Sequence, residues 1–586
     1  MAETRRVLRV TIAGGGPVGL MLALTLKSIM PDEVAIQIFD DRWTSTSTGI
    51  TWRGKNEGNS RRQQVVTIQS RQYSRFPEIV KNALFSSTSD YSEMWPVGPD
   101  SPLELGRPRN LRIAFIEDKL LELADRDNDI QLRTERFDPT DRNLNTQHLL
   151  VISDGGQSAT RDYFIKEQKK FGEPDNTAYS VDGKVPLEDT VLGLRVKSSM
   201  SDSTAVLLTI SQNRFLLNSL RGEGFLNMRL EPEEVREVIG FNKATKQFHP
   251  CIQSNPCMMV RKSKHDFVCS THGTHFKPAI DASNGASALW PRILEGLRLF
   301  GVDEKDLSGI TAFRLSMVQR PRFTAELIPP TAKTPGTFGC LLGDAANAIH
   351  FWPGRGLNSG FAAAHSLAKS LSKNWNGRAL RDSDLMRHEA AMAMLQYRHK
   401  SRAWRAMVTT DRSGTVIPIQ QVIGESCRNP RKEDFRAEFL NRIRSKRQRL
   451  DGRLDNLPED NKLEKIFPKI DDETLQVLVD SEAWNTTSMG GEEADVEWLL
   501  NWASAHNQKL KDGAPQAEKD ADGASHDPSP PDIEPADRIP NERPRPRRLR
   551  YFFSGAVLSA GLVLVWQKGL TQSITELANW WHSFGF

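Results

Sequence analysis

Apolar positions along the chain fall into two textures. In the first 180 or so residues, and again beyond residue 338, short and largely apolar runs at 7–13 (VLRVTIA), 34–39 (VAIQIF), 149–152 (LLVI) and 338–342 (FGCLL) are interleaved with helical periodicity at 20–26, 113–123 and 361–371. Such runs read as strands buried on both faces, and strands alternating with helices predict a parallel sheet. Between 185 and 330 the runs at 190–196, 205–210, 225–230, 257–260 and 266–269 are β-rich, several of them alternating apolar and polar. They predict an inserted sheet with one covered face; 290–300 reads as a helix and 310–317 as a strand, and the chain returns to the first sheet at Gly339. A helix is expected over 384–407, with His388, His399 and Trp404 in structural roles. Charged helical stretches at 432–450, 459–467, 472–478 and 496–502 predict a peripheral extension.

The far end changes character. Residues 508–548 are rich in Pro, Asp, Lys and Ala and read as a linker without a packed core. Basic residues collect at 543–550, and residues 551–566 (YFFSGAVLSAGLVLVW) then carry no charge. These 16 residues fall slightly short of the roughly 20 of a usual span. Tyr551 and Trp566 stand at the ends as interface aromatics do, and the upstream arginines place the bulk of the protein on the cytosolic side. The expectation is a single-pass tail anchor; Trp580 and Trp581 would then lie in the far interface. At the other end, Arg5, Arg6 and Arg9 interrupt any apolar signal segment, so the catalytic part is expected to face the cytosol.

Chemistry is concentrated where strands give way to glycine. Gly14-Gly15-Gly16-Pro17-Val18-Gly19 is a G-x-G-x-x-G between a strand and a helix. Gly14 allows the tight turn, Gly16 lets a pyrophosphate approach the backbone, and Gly19 lets helix and strand pack closely. Asp40, at the end of the second strand, is the expected ribose acid, with Asp41 its nearest rival. Asp154-Gly155-Gly156-Gln157-Ser158-Ala159-Thr160-Arg161 again puts an acid at a strand end, though Asp-Gly is also a common turn pair. The third stretch runs Gly343-Asp344-Ala345-Ala346-Asn347, then His350-Phe351-Trp352-Pro353-Gly354-Arg355-Gly356-Leu357-Asn358. It reads as strand, acid, glycine-rich turn and helix, a place where unpaired N–H groups and a positive helix end meet a phosphate or an electron-rich ring.

The three stretches, in this order, resemble the single-component FAD-dependent monooxygenases built on the para-hydroxybenzoate hydroxylase plan, over about the first 420 residues. The resemblance implies an α/β protein: a discontinuous Rossmann-like FAD-binding domain (1–184 and 331–415), an inserted β-rich substrate domain (185–330) whose covered face roofs the flavin, a helical extension (416–507), the linker (508–550), the membrane helix (551–567) and a tail (568–586). It implies FAD held by Gly14, Gly16, Pro17, Val18, Gly19, Asp40, Asp154, Asp344, Gly354, Gly356, Leu357 and Asn358. Arg62, or next Arg61, would lie along the FAD phosphates or the flavin edge, and Arg161 would help shape the pyrophosphate region. His350, Phe351, Trp352 and Arg355 would line the active face. NAD(P)H would serve as a transient co-substrate, and a flavin C4a-hydroperoxide would oxygenate a small organic molecule. Three departures stand out. Asn347 replaces the usual His, Phe351 takes the place of a common proline, and Ala114-Phe115 stands where Arg or Gln often begins a helix. The Phe351-Trp352-Pro353 run resembles the MICAL branch, which oxidises a protein side chain. That keeps a protein-oxidising or peroxide-generating oxidase open, as well as a tethered FAD-binding protein without turnover.

Composition narrows the field further. At 586 residues, with 38% hydrophobic residues and a mean hydropathy of -0.49, two or three compact units with some charged, unpacked sequence are expected. A net charge of +4 without a basic, aromatic-interleaved stripe argues against nucleic acid as a partner. The cysteines, Cys251, Cys257, Cys269, Cys340 and Cys427, match neither a C-x-x-C zinc pair nor a redox pair. They are expected to be reduced thiols, mostly buried, with no metal site.

Overall fold

Two six-stranded sheets divide the work. The computed structural model describes residues 7–484, apart from 58, 60, 94–106, 173–176, 179, 181–186, 239, 245–246, 250, 252–256, 348–354, 411–412, 453, 455 and 466–469. In the first sheet the order is Thr324–Ile328, Thr337–Leu341, Leu149–Ile152, Leu8–Ala13, Val34–Phe39, Ile130–Arg133. All neighbours are parallel except the first pair. Its central strands are buried almost throughout, because helices cover both faces. Thr324–Ile328 pairs antiparallel with Thr337–Leu341, so the chain rejoins this sheet at Thr324, earlier than the expected return at Gly339.

Helix Pro17–Ile29 packs on helix Arg355–Asn374, and a glycine sets their separation. A Cβ at Gly360 would come within 2.4 Å of Val18 Cγ2, so only hydrogen fits there. Helix Ile113–Asp125 packs against the same layer, as its periodicity predicts.

The second sheet is antiparallel, ordered Phe215–Leu220, Glu223–Leu230, Glu188–Lys197, Gly309–Ser316, Met259–Ser263, Asp266–Cys269. One face carries Leu192, Leu194, Leu226 and Ile310 into a core shared with helices Asp202–Ile210, Leu289–Leu299, Phe435–Leu450 and Asp472–Asp480. Two expectations change here. Residues 205–210 are helix rather than strand: a fully apolar run has no periodicity to separate the two, and here every residue of it is buried. The charged stretches at 432–450 and 472–478 are not peripheral either, since Phe439, Ile443 and Leu475 are fully buried in that core; the stretch at 496–502 lies outside the described residues. The helices therefore cover one face of this sheet. The other face presents Gly193, Asn227, Thr311 and Phe313, gathered by the register Gly193↔Asn227 and Gly193↔Thr311.

Edge strand Phe215–Leu220 is tied by side-chain amides to a small three-stranded sheet of Val65–Ile68, Arg109–Arg112 and Ser92–Glu93. Asn218 Nδ2 donates to Val65 O at 2.7 Å, and Asn110 Nδ2 donates to Ser219 O at 3.2 Å. Among the described residues no helix is long and apolar enough to cross a membrane, and the expected span at 551–567 lies outside them.

Candidate cofactor site

The three glycine-rich strand ends meet. Gly14 adopts φ +102°, and a Cβ on it would lie 2.5 Å from the Asp154 backbone. The first and second stretches thus touch main chain to main chain, and Ser153 Oγ donates to Gly14 O at 2.8 Å. The first and third touch through Val18, packed against Gly343 and Gly360. Arg161 joins the second to the third: its Nη1 donates to Gly156 O at 3.0 Å and to Ala345 O at 3.3 Å. Arg320, arriving from the second sheet, donates from Nε to Ala346 O at 2.8 Å. Two buried guanidinium groups therefore hold consecutive carbonyls of the Gly343–Ala345 turn and its continuation.

The first stretch is open to an anion. Helix Pro17–Ile29 begins at Gly16 with no side-chain cap and no acid in its first turn. Its terminal N–H groups and positive end are left to the loop. Asp40 is buried at the end of Val34–Phe39, where its Oδ2 accepts from Gly15 N at 2.9 Å and its carboxylate takes both Nε and Nη2 of Arg42. The rival, Asp41, lies 3.8 Å from Arg136 at the exposed surface. Trp43 is fully buried, and its ring occupies the space a side chain at Gly15 would need.

A charged cluster that sequence reasoning missed sits beside this loop. Glu117, buried on helix Ile113–Asp125, lies 3.9 Å from Arg42 and 3.4 Å from Arg61. Burial pushes its carboxyl above the usual range, against the pull of Arg62, Arg42 and Arg61. Arg42 and Arg61 also stack on Trp52, 5.0 and 4.7 Å from the ring centroid. The only signal in the sequence was the helical position of Glu117 two turns from Leu123 and Ala124, which is ambiguous without the fold. Of the two arginines considered for the phosphates, Arg61 is committed to Glu117, Asp118 and the Ala114 carbonyl. Arg62 is exposed and acts on both Glu117 and Asp344.

Asp344 follows the strand Thr337–Leu341, and its Oδ1 would be 3.4 Å from a Cβ on Gly356, at the start of helix Arg355–Asn374. Its surface is accessible, yet protein crowds it closely enough that desolvation raises its carboxyl above the usual range, with Arg62 opposing. That combination describes a group lining a recess rather than an outer surface. Asp154 Oδ2 accepts from Thr160 N at 3.4 Å, near the Ser158-capped start of helix Ala159–Lys166. Asn358 is fully buried and its amide is spent on strand Val65–Ile68: Oδ1 accepts from Gln69 N and Nδ2 donates to Thr67 O. Leu357 packs against the first core. His350, Phe351, Trp352 and Gly354 lie outside the described residues, as does the side chain of Arg355.

The residues suit a dinucleotide. Trp43 Nε1, Trp52 Nε1, Glu117 Oε1 and Asn347 Oδ1 are buried around these strand ends without a hydrogen-bond partner among the described residues. An orphaned polar atom costs about 1–3 kcal/mol, and a polar guest in the glycine-lined cradle would relieve such costs. Elsewhere in the molecule three of the cysteines expected to be reduced thiols come together. Cys251, Cys257 and Cys269 converge with His272 on the second sheet, because a hairpin and the excursion before it bring distant sequence together.

No family profile and no curated protein matches the sequence. Solved structures resemble it loosely. A tetrameric 2-methyl-3-hydroxypyridine-5-carboxylic acid oxygenase aligns over 68% of this chain and 90% of its own at 13% identity, TM-score 0.39. CtdE in complex with FAD and a substrate aligns over 68% and 89% at 14% identity, TM-score 0.39. The Diels-Alderase PyrE3 of pyrroindomycin biosynthesis aligns over 79% and 81% at 14% identity, TM-score 0.42. At these values the likeness carries no conclusion about what this chain binds or does.

Proposed function

We propose that the chain is an FAD-dependent monooxygenase that uses NAD(P)H and O2 to hydroxylate or epoxidise a small organic molecule. One observation carries this reading: three strand ends, more than a hundred residues apart, converge through Gly14, Asp154, Arg161 and Ala345 on one glycine-lined cradle. Bound FAD would supply the redox chemistry and the activation of oxygen. The N–H groups at the start of helix Pro17–Ile29 would take the pyrophosphate, with Arg62 alongside it. Asp40 would accept from the ribose hydroxyls, exchanging its bonds to Arg42, and Asp344 would accept from the ribityl chain. The start of helix Arg355–Asn374 would favour negative charge at the ring edge. The face of the second sheet turned away from those helices, with Asn227, Thr311 and Phe313, would offer a mixed polar and aromatic wall for an organic guest.

The visible spectrum is the first test. Purified protein is expected to show flavin maxima that NAD(P)H bleaches, with NAD(P)H consumption stimulated by small aromatic or terpenoid compounds. A colourless, folded preparation that ignores added FAD overturns the reading. Steady peroxide output indifferent to small molecules would favour the oxidase or protein-oxidising alternative, and a yellow protein that NAD(P)H cannot bleach would favour binding without turnover. The same proposal tethers the enzyme to a membrane through residues 551–567, catalytic part toward the cytosol. Deleting residues 545–586 should release it from the membrane pellet; a truncated protein that stays there after a salt wash sinks the tether.

A further inference from the structure

We propose that Cys251, Cys257, Cys269 and His272 bind one zinc ion that staples the outer edge of the second sheet. Their ligand atoms all lie within 4.8 Å of one another. The His272 Nδ1 atom is 3.9 Å from Cys251 Sγ, 3.3 Å from Cys257 Sγ and 3.6 Å from Cys269 Sγ. A tetrahedral ion with Zn–S of about 2.3 Å and Zn–N of about 2.0–2.1 Å separates sulfur from nitrogen by about 3.6 Å, close to what these side chains already span.

The surroundings are built for thiolate. The turn after strand Asp266–Cys269 directs the backbone N–H groups of His272, at 3.4 Å, and Thr271 at Cys269 Sγ. Gly273, at φ +65°, closes that turn with its N–H on Cys269 O at 2.9 Å. Cys269 and His272 are thus presented by one tight loop as a C-x-x-H pair. Thr274 Oγ1 stands 3.3 Å from Cys251 Sγ, a hydroxyl able to support a bound sulfur. Each thiol would lose its proton to solvent as its sulfur ligates.

Place and ligand set both indicate a structural ion. Cys257 lies two residues before strand Met259–Ser263, Cys269 ends strand Asp266–Cys269, and Met259 is in register with Cys269. Cys251 belongs to the excursion before them, so one ion would tie that excursion to the hairpin. The hairpin forms the edge of the sheet opposite Phe215–Leu220, the strand that bonds to Val65 of the small three-stranded sheet. Five strand spacings of about 4.8 Å put roughly 24 Å between those edges. Four protein ligands leave no open position for substrate, and a thiolate-rich set with one imidazole favours zinc over hard cations.

The full-length protein, purified without chelator from zinc-supplemented cells, should contain about one zinc per chain by elemental analysis, released in step with mercurial titration of the thiols. Cobalt exchanged into it should give thiolate-to-cobalt charge transfer and the intense visible bands of a tetrahedral site. His272 is exposed, so His272→Ala should keep the fold and lose zinc to a competing chelator about tenfold more readily or worse. Protein that carries no zinc and takes no cobalt with its thiols reduced overturns the proposal. So does His272→Ala that holds zinc as tightly as the parent, or a Cys251–Cys269 disulfide in the protein as isolated. Zinc content is read apart from colour, so failure of the flavin reading leaves this test standing.

Discussion

The chain gathers distant residues in two places, and it does so by different means. At the glycine-rich strand ends the contact is backbone on backbone: Gly14 against Asp154, Val18 against Gly343 and Gly360. At the edge of the second sheet it is side chain on side chain, three thiols and an imidazole with their ligand atoms within 4.8 Å of one another. Backbone contact demands glycine at fixed points and therefore writes itself into the sequence. Side-chain convergence demands only that the fold deliver each residue, and it leaves no local mark.

The largest effect should come from violating the backbone contact. Gly14→Val combines a positive φ with a Cβ 2.5 Å from the Asp154 main chain, and neither partner can move without disturbing a central strand. A loss above about 4 kcal/mol is expected, seen as insoluble or unfolded protein. The matching control is Gly155→Ala, also at positive φ but with nothing within 4 Å of the new carbon. There only backbone strain of about 1–2 kcal/mol applies. If the two variants lose equal stability on urea unfolding, close approach is not what holds the strand ends together.

Stripping the metal with a chelator in reducing buffer comes next. Structural zinc contributes apparent energies of about 10–16 kcal/mol in small zinc-dependent units. The edge hairpin here also packs on a core, through Phe267 and Phe276, so a smaller loss of about 3 kcal/mol is expected. Hydrogen exchange should rise in residues 257–276 while the first sheet stays protected. Uniform loss of protection in both sheets would erase the distinction drawn between the two places.

That distinction explains what could be read in advance. The order strand, glycine turn, helix recurs at three strand ends, so the strands at 8–13, 149–152 and 337–341 were legible, the latter two with their acids, and the strand at 34–39 was legible from its apolar run and Asp40. Residues 205–210 were misread because burial on all sides removes periodicity. Strand Phe215–Leu220 was passed over because Asn218 and Ser219 look like loop residues; Asn218 is polar because its side chain donates to the Val65 carbonyl of the small three-stranded sheet. The charged helix Phe435–Leu450 seemed peripheral because its apolar stripe, Phe435, Phe439, Ile443 and Leu450, is thin among basic residues, yet that stripe is buried. The spacing C-x5-C-x11-C-x2-H conveys nothing until the hairpin is known.

Arg161 tests whether side chains matter even at the backbone-built place. Arg161→Met keeps the length but leaves the Gly156 and Ala345 carbonyls without their donor. Lost bonds to a buried charged group are worth about 1.5–3 kcal/mol in total here, so a loss of about 2–3 kcal/mol is expected in urea midpoints, with a lower ratio of FAD to protein. A change under about 0.5 kcal/mol with unaltered FAD content would mean that glycine packing alone unites the second and third stretches.

At neutral pH the smallest effect is that of His388, on the helix behind the first sheet, and it grows only as the medium is acidified. His388 is fully buried, with Nε2 3.3 Å from Cys340 Sγ and Nδ1 3.3 Å from Ser366 Oγ, and desolvation lowers its pKa from an ordinary 6.5 to about 3. The folded protein thus keeps the ring neutral where the unfolded chain would protonate it. Above pH 6.5 both states are neutral and the residue adds no slope. As pH falls below 6.5 the unfolded state gains a proton that the folded state refuses, and stability drops until the folded ring titrates near 3. The slope approaches about 1.4 kcal/mol per pH unit. Urea midpoints taken at a series of pH values through that window should converge between parent and His388→Gln as the medium is acidified, because the variant lacks the extra proton uptake. Parallel curves would show that His388 is charged, or exposed, in the folded protein.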